Sequence, residues 1–99
     1  MRTCYVTAHI TAQPGKGKEL REIMVANIPL VRAEKGCLRY DLLCSPDNPD
    51  LLMFNEAWED RAALDAHLVS AHMRAYHGKS ESLIAGRAVY LWNAVDARA

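Results

Sequence analysis

Between Leu52 and His77 the chain, LMFNEAWEDRAALDAHLVSAHMRAYH, changes its residue period twice, so no single helix or strand accommodates it. It opens as a strand ending at Glu56-Ala57-Trp58. Asp60 then precedes RAALDAHL and Ser70 precedes AHMRAYHGK. Asp and Ser are residues whose side chains accept from the unpaired N–H groups of a first helical turn. The stretch therefore reads as a strand, a short helix ending near His67 and a second helix opening at His72. With Asp60 as cap, Leu64, His67 and Leu68 share a face. With Ser70 as cap, His72, Tyr76 and Leu83 form a stripe beside Met73, His77, Ser80 and Ile84. Both His67 and His72 fall on inward-tending faces.

The rest of the chain supplies what this stretch must pack against. Tyr5 to Ala12 alternates, with Val6, Ala8 and Ile10 on one face and Tyr5, Thr7, His9 and Thr11 on the other, as a strand does. Gln13-Pro14-Gly15-Lys16-Gly17 ends it. Lys18 to Ala33 has helical spacing, with Leu20, Ile23, Met24, Asn27 and Val31 along one stripe. Pro29 lacks an N–H and is expected to kink or end that helix near Ile28, and Lys35-Gly36 is a stop. Cys37 to Cys44 and Leu51 to Glu59 read as antiparallel strands joined by the turn residues Ser45 to Asp50. If Cys44 faces Leu51, Arg39 faces Glu56 as an opposite-charge pair. A last strand follows Gly86, from Arg87 to Val95, with a polar tail from Asp96.

This order, β-α-β-β-α(α)-β, predicts an α+β, ferredoxin-like fold: one four-stranded antiparallel sheet with helices on one face. Ninety-nine residues suit a single domain with a core of about 3–95. The strands carry apolar residues on both faces, such as Leu38 and Leu42 against Leu43, and Phe54 and Trp58 against Met53. A sheet covered on one face only does not need that. With 51% hydrophobic residues in so short a chain, the helix-free face is expected to meet a second copy in a homodimer.

The 12 basic and 12 acidic residues balance, which argues against nucleic acid or an anionic membrane as a partner. No run has the length of a membrane span, and MRTCYVTAHI lacks signal-peptide architecture. Cys4, Cys37 and Cys44 are odd in number and lack zinc-type spacing, as expected for reduced thiols in the cytoplasm.

Each polar candidate has a functional and a plain reading. His67 and His72 either bind and deprotonate an acidic organic substrate or are satisfied at a helix–helix corner. His72, in the first turn after Ser70, sits at the positive end of a helix, which favours a neutral ring. Glu56 shares a strand face with Trp58. Beside a large aromatic its carboxyl can have a raised pKa and act as acid or base, or it simply pairs with Arg39. Tyr40 is a substrate-binding phenol or a strand aromatic at the rim. Asn27 interrupts an apolar stripe and needs a partner, either a ligand or its packing neighbours. Tyr76, on the His72 stripe, completes the set. A metal drawn from His67, His72, His77 and Glu56 is not expected, because histidines five apart across a turn lack ligand spacing. The chain has no GxGxxG, P-loop or nucleophile elbow, so no cofactor is expected.

The E-x-W strand end, D-x-A-A-L-x-x-H-L and S-x-H-M resemble the antibiotic biosynthesis monooxygenase domain. Glu34-Lys35-Gly36-Cys37-Leu38-Arg39-Tyr40-Asp41-Leu42 resembles that family's E-x-G-C-x-x-Y-x-L segment. The resemblance runs from Tyr5 to about Val95. It implies homodimers whose sheets form an α/β barrel, and a cofactor-independent oxidation of a phenol or quinol by O₂ in a dry apolar pocket. His72, His67 and Glu56 would be the catalytic groups, and Asn27, Tyr40, Trp58 and Tyr76 would bind substrate. Other branches share the resemblance. One isomerises a small phosphorylated signal molecule, but Ile28 stands where its histidine is expected. A haem-degrading branch has its iron ligand at the place of His77, but Ala8 and His67 replace its asparagine and tryptophan. A dimeric small-molecule binder without turnover is the remaining alternative.

Overall fold

The structure, a computed structural model, describes residues 2–96. Its elements are β1 (Cys4–Ala12), α1 (Gly17–Arg32), β2 (Cys37–Cys44), β3 (Leu51–Trp58), α2 (Arg61–Leu68), α3 (Ala71–Ser80), a 3-10 turn (Glu81–Leu83) and β4 (Ile84–Trp92). The sheet order is β2-β3-β1-β4 and every pairing is antiparallel. This is the expected ferredoxin-like α+β plan. Val6, Ala8, Ile10 and Ala12 of β1 are buried together with Leu52, Phe54 and Trp58 of β3. Leu20, Met24 and Val31 of α1, with Leu64, Met73 and Tyr76 of α2 and α3, close the other side of that core.

Both predicted caps form. The Asp60 side chain accepts from Ala63 N–H at 2.9 Å, and Ser70 Oγ accepts from Met73 N–H at 3.4 Å. Gly36, at φ +84°, makes the left-handed turn that ends the first helical segment. A side chain there would also collide with the Ala63 methyl.

Three expectations change. First, of the kink or stop expected at Pro29 the stop does not occur: α1 runs through Pro29 to Arg32. Proline removes only one rung of the helix. The following turn is held because Ala33 N–H donates to the Pro29 carbonyl, and the Arg32 guanidinium donates to the Tyr40 carbonyl at 2.9 and 3.1 Å. Second, the β2–β3 register is one residue away from the expected one: Cys44 faces Leu52, and Tyr40, not Arg39, faces Glu56. Ser45 N–H donates to the Leu51 carbonyl, so the turn takes Leu51 into its closure. The same register puts Arg39 opposite Ala57, where it reaches Asp41 at 3.7 Å, and an irregularity between Cys37 and Arg39 then sets Cys37 opposite Trp58. Third, β4 begins at Ile84 and stops at Trp92.

The helices lie on one face of the sheet. The opposite face carries Thr7, His9, Met53, Tyr90 and Trp92, with Trp92 Nε1 donating to Thr7 Oγ1 at 2.9 Å. On β4 the helix-side residues Arg87, Val89 and Leu91 pair with Ile10, Ala8 and Val6. Val89 and Leu91 nevertheless stay 49% and 44% exposed, since no helix covers this edge. The three thiols are free and half-buried. Among the described residues no helix is long and apolar enough to cross a membrane.

Candidate active site

Between the helix-side face of the sheet and α2–α3 lies a cavity of about 170 Å³. Its walls are mostly aliphatic, and its polar lining comes from Tyr40, Glu56, His67, Tyr76, His77 and Arg87. Strand alternation puts Glu56 there: its neighbours on the same face are Phe54 and Trp58, and all three are buried. The Glu56 carboxyl accepts one hydrogen bond, from Trp58 Nε1 at 2.9 Å. Burial pushes its pKa up to about 7, the indole bond pulls it down, and Glu34 adds a further push upward. A carboxyl that exchanges its proton near neutrality suits general acid–base work. Tyr40, opposite Glu56 and stacked on Phe54 at 4.6 Å, has its phenol pushed well above the usual range by burial and then by Glu56. It therefore acts as a hydroxyl donor, not as a base.

His67 reaches the cavity from α2, its ring lying 4.5 Å from Trp58 and 5.8 Å from Tyr40. Its Nδ1 is 2.8 Å from Glu34 Oε2. His72 approaches the same oxygen with Nε2 at 2.7 Å. A carboxylate only accepts, so both facing nitrogens carry their hydrogens. In the neutral His67 ring that contact leaves the lone pair on Nε2, which has no hydrogen bond among the described residues. Among the described residues, Glu34, His67 and His72 also form the one group whose ligand atoms lie close enough to share an ion, all within 4.8 Å. Ligands on bonds of about 2.1 Å stand roughly 3.0–3.4 Å apart. The 2.7 and 2.8 Å separations here are hydrogen-bond lengths.

The expected site residues thus divide. Glu56, Tyr40, His67 and Tyr76 meet in the cavity. His72 and Asn27 do not; they line a groove between α1 and α3. The His72 ring meets Glu34 from the α3 side, Asn27 is occupied internally, its Nδ2 donating to Met73 Sδ at 3.3 Å, and Tyr76 borders both the cavity and this groove. Trp58 is fully buried behind Glu56, donates its indole N–H to that carboxyl and does not line the cavity.

Two residues went unassigned from sequence. Glu34 follows the C-terminal end of α1, where the helix dipole disfavours an anion, and that oddity was its signal. Arg87 shares the inward alternation of Val89 and Leu91, a cation on an otherwise apolar face. Among the described residues, the buried Tyr76 hydroxyl has no hydrogen-bond partner, nor does Ser80 Oγ. Burial pushes the Tyr76 phenol up, while Arg87 and then Ser80 pull it down, although the two hydroxyls stand outside hydrogen-bond geometry. Burial and Arg87 both lower the pKa of His77, favouring its neutral ring.

Comparison with known proteins places this site in a family. The chain is 37% identical over 79 residues to the Mycobacterium tuberculosis protein named "Putative monooxygenase Rv0793", covering 80% of this chain and 77% of that one. The solved structure of Rv0793 is similar with a TM-score of 0.87 at 32% identity, covering 98% and 99% of the two chains. That of PA3566 from Pseudomonas aeruginosa is similar with a TM-score of 0.90 at 29% identity, covering 97% of each. The family described as antibiotic biosynthesis monooxygenase matches residues 3–79. With that much of the fold and the sequence shared, the chain belongs to the antibiotic biosynthesis monooxygenase family.

Proposed function

We propose that this protein is a cofactor-independent monooxygenase that oxidises a small phenolic or quinol-type molecule with O₂ in the cavity beneath β1, β3 and β4. The observation that carries this reading is Glu56, a buried carboxyl poised near pH 7 in an apolar chamber beside Tyr40 and His67. Deprotonation of the substrate hydroxyl by the Glu56 carboxylate or by His67 Nε2 makes an electron-rich phenolate. Its ring carbon reduces O₂ to a hydroperoxide. Loss of water from that adduct leaves a carbonyl, so a ring C–H and the phenol become a quinone and one molecule of water. The substrate supplies all the electrons, and no further reductant is needed. The Tyr40 hydroxyl and the dry walls favour the oxyanion over its solvated form. At about 170 Å³ the chamber is smaller than the ~300–1,000 Å³ of drug-sized sites, so it favours one or two rings.

Homodimerisation through the helix-free face belongs to the same reading. Leu43, Leu51, Tyr90 and Trp92 are each about half exposed there, a larger apolar display than a monomer of this size needs. A stable 11.1 kDa species in light scattering at micromolar concentration would remove this part of the proposal.

A binding module without turnover is the second reading. It draws on Glu34, which satisfies both histidines within the fold and so gives each a structural reason to exist. Aerobic and anaerobic incubation with a panel of hydroquinones and naphthols, following O₂ uptake, separates the two. Uptake without added flavin or metal supports the oxygenase, and binding with no uptake from any member of the panel supports the module.

A further inference from the structure

The cavity is apolar along most of its length but electrically lopsided. Among the described residues, Arg87 is the one lysine or arginine in its lining. Arg2, Arg32, Arg39 and Arg61 each reach a carboxylate, whereas the side chain of Arg87, like those of Arg21 and Arg74 outside the cavity, makes no ion pair or hydrogen bond among the described residues. The Tyr76 hydroxyl lies close enough to feel both Arg87 and Glu56, and it is buried with no hydrogen-bond partner among the described residues. Tyr76 itself is 6% exposed.

We propose that the cavity takes an aromatic ligand bearing a carboxylate, with the carboxylate on the Arg87 guanidinium and the Tyr76 hydroxyl and the ring running back toward Glu56. This rests on the reading of the cavity as the substrate site, but not on its oxygen chemistry. An unpaired guanidinium at the open edge of an apolar chamber is an anchor for a planar anion, because a carboxylate matches its fork while the ring beyond it meets apolar walls. The otherwise unused Tyr76 O–H gains the acceptor it lacks. Spacing fits a ring. Glu56 pairs with Val6 and Arg87 with Ile10, so their Cα atoms are separated by about 13 Å along β1 and about 10 Å across two strand spacings. Glutamate and arginine side chains reaching inward over that gap leave the length of one ring with substituents at opposite ends. The other titratable groups facing the chamber are Tyr40 from β2, His67 from α2 and His77 from α3. None of them places a fixed negative charge beside Arg87.

Isothermal titration under nitrogen with 4-hydroxybenzoate and its neutral isostere 4-hydroxybenzamide tests this at pH 6. The acid is expected to bind about tenfold tighter than the amide. Arg87→Gln, at an exposed edge position, should abolish that preference while the protein stays folded by circular dichroism. Tyr76→Phe should weaken the acid about threefold to tenfold. Equal affinity for the two probes, a preference that survives Arg87→Gln, or no heat with either probe would each overturn the proposal. Oxygen uptake is measured separately in air. Carboxylate preference without uptake retains this proposal and removes the oxygenase; uptake from neutral quinols without charge preference does the reverse.

Discussion

Glu34 and Glu56 are the two inward carboxylates of this fold, and their surroundings make them opposites. Glu34 Oε2 accepts from two imidazoles at 2.7 and 2.8 Å. Glu56 accepts from a single indole and faces a mostly aliphatic chamber, with Tyr40 and His67 in the same lining but not hydrogen-bonded to it. The first is a clamp that joins the loop after α1 to the α2–α3 corner. The second lacks a cationic partner and has a pKa raised to about 7. The difference teaches that the number and kind of donors, rather than burial alone, separates a structural carboxylate from one available for chemistry.

Each side of that contrast can be broken separately. Glu56→Gln keeps an acceptor for Trp58 but removes the exchangeable proton. Turnover is expected to fall by about 10²–10⁴ with little change in fold, read as initial O₂ uptake. If Glu34 is the clamp, Glu34→Ala leaves two inward imidazoles without their acceptor and should cost about 3 kcal/mol of stability in denaturant unfolding. A loss below about 0.5 kcal/mol would make the clamp dispensable.

The wild-type stability curve sharpens the same contrast. Burial favours protonated Glu56, so the folded chain holds a proton where the unfolded chain has lost it. The contribution is fully present below about 4.5 and lost as pH rises through about 7. The decline is on the order of 3 kcal/mol at most, and Glu56→Gln should flatten it. The smallest effect belongs to the groove. Asn27→Ala removes a bond to a weak sulfur acceptor, so it should cost about 1 kcal/mol and leave oxygen uptake unchanged.

Local chemistry made most of the fold legible. Asp60 and Ser70 announced their helices because a cap acts within three residues, and the alternation in β1 named its buried face correctly. The register of β2 against β3 was not legible, because it depends on how the turn admits Leu51 into its closure, which does not alter the hydrophobic pattern. At the site, Glu56, Tyr40, His67 and Tyr76 were found because each shares a periodic face with core residues. Glu34 was not, since it lies 33 and 38 residues from its histidines and only the folded chain brings them together. For the same reason His72 and Asn27 could be read as inward but not as belonging to a separate groove.

The strand order has a consequence for synthesis. β1 is made first, yet one of its two partners, β4, is made last. Until Ile84–Trp92 leaves the ribosome, the nascent chain carries a long hydrogen-bonding edge at β1 with no strand to occupy it. Throughout that interval Arg87 has not yet arrived, and the chamber stands open along its length. The pocket wall that carries Arg87 therefore cannot form before β4 is made, and a chain that stalls earlier presents an open strand edge at β1.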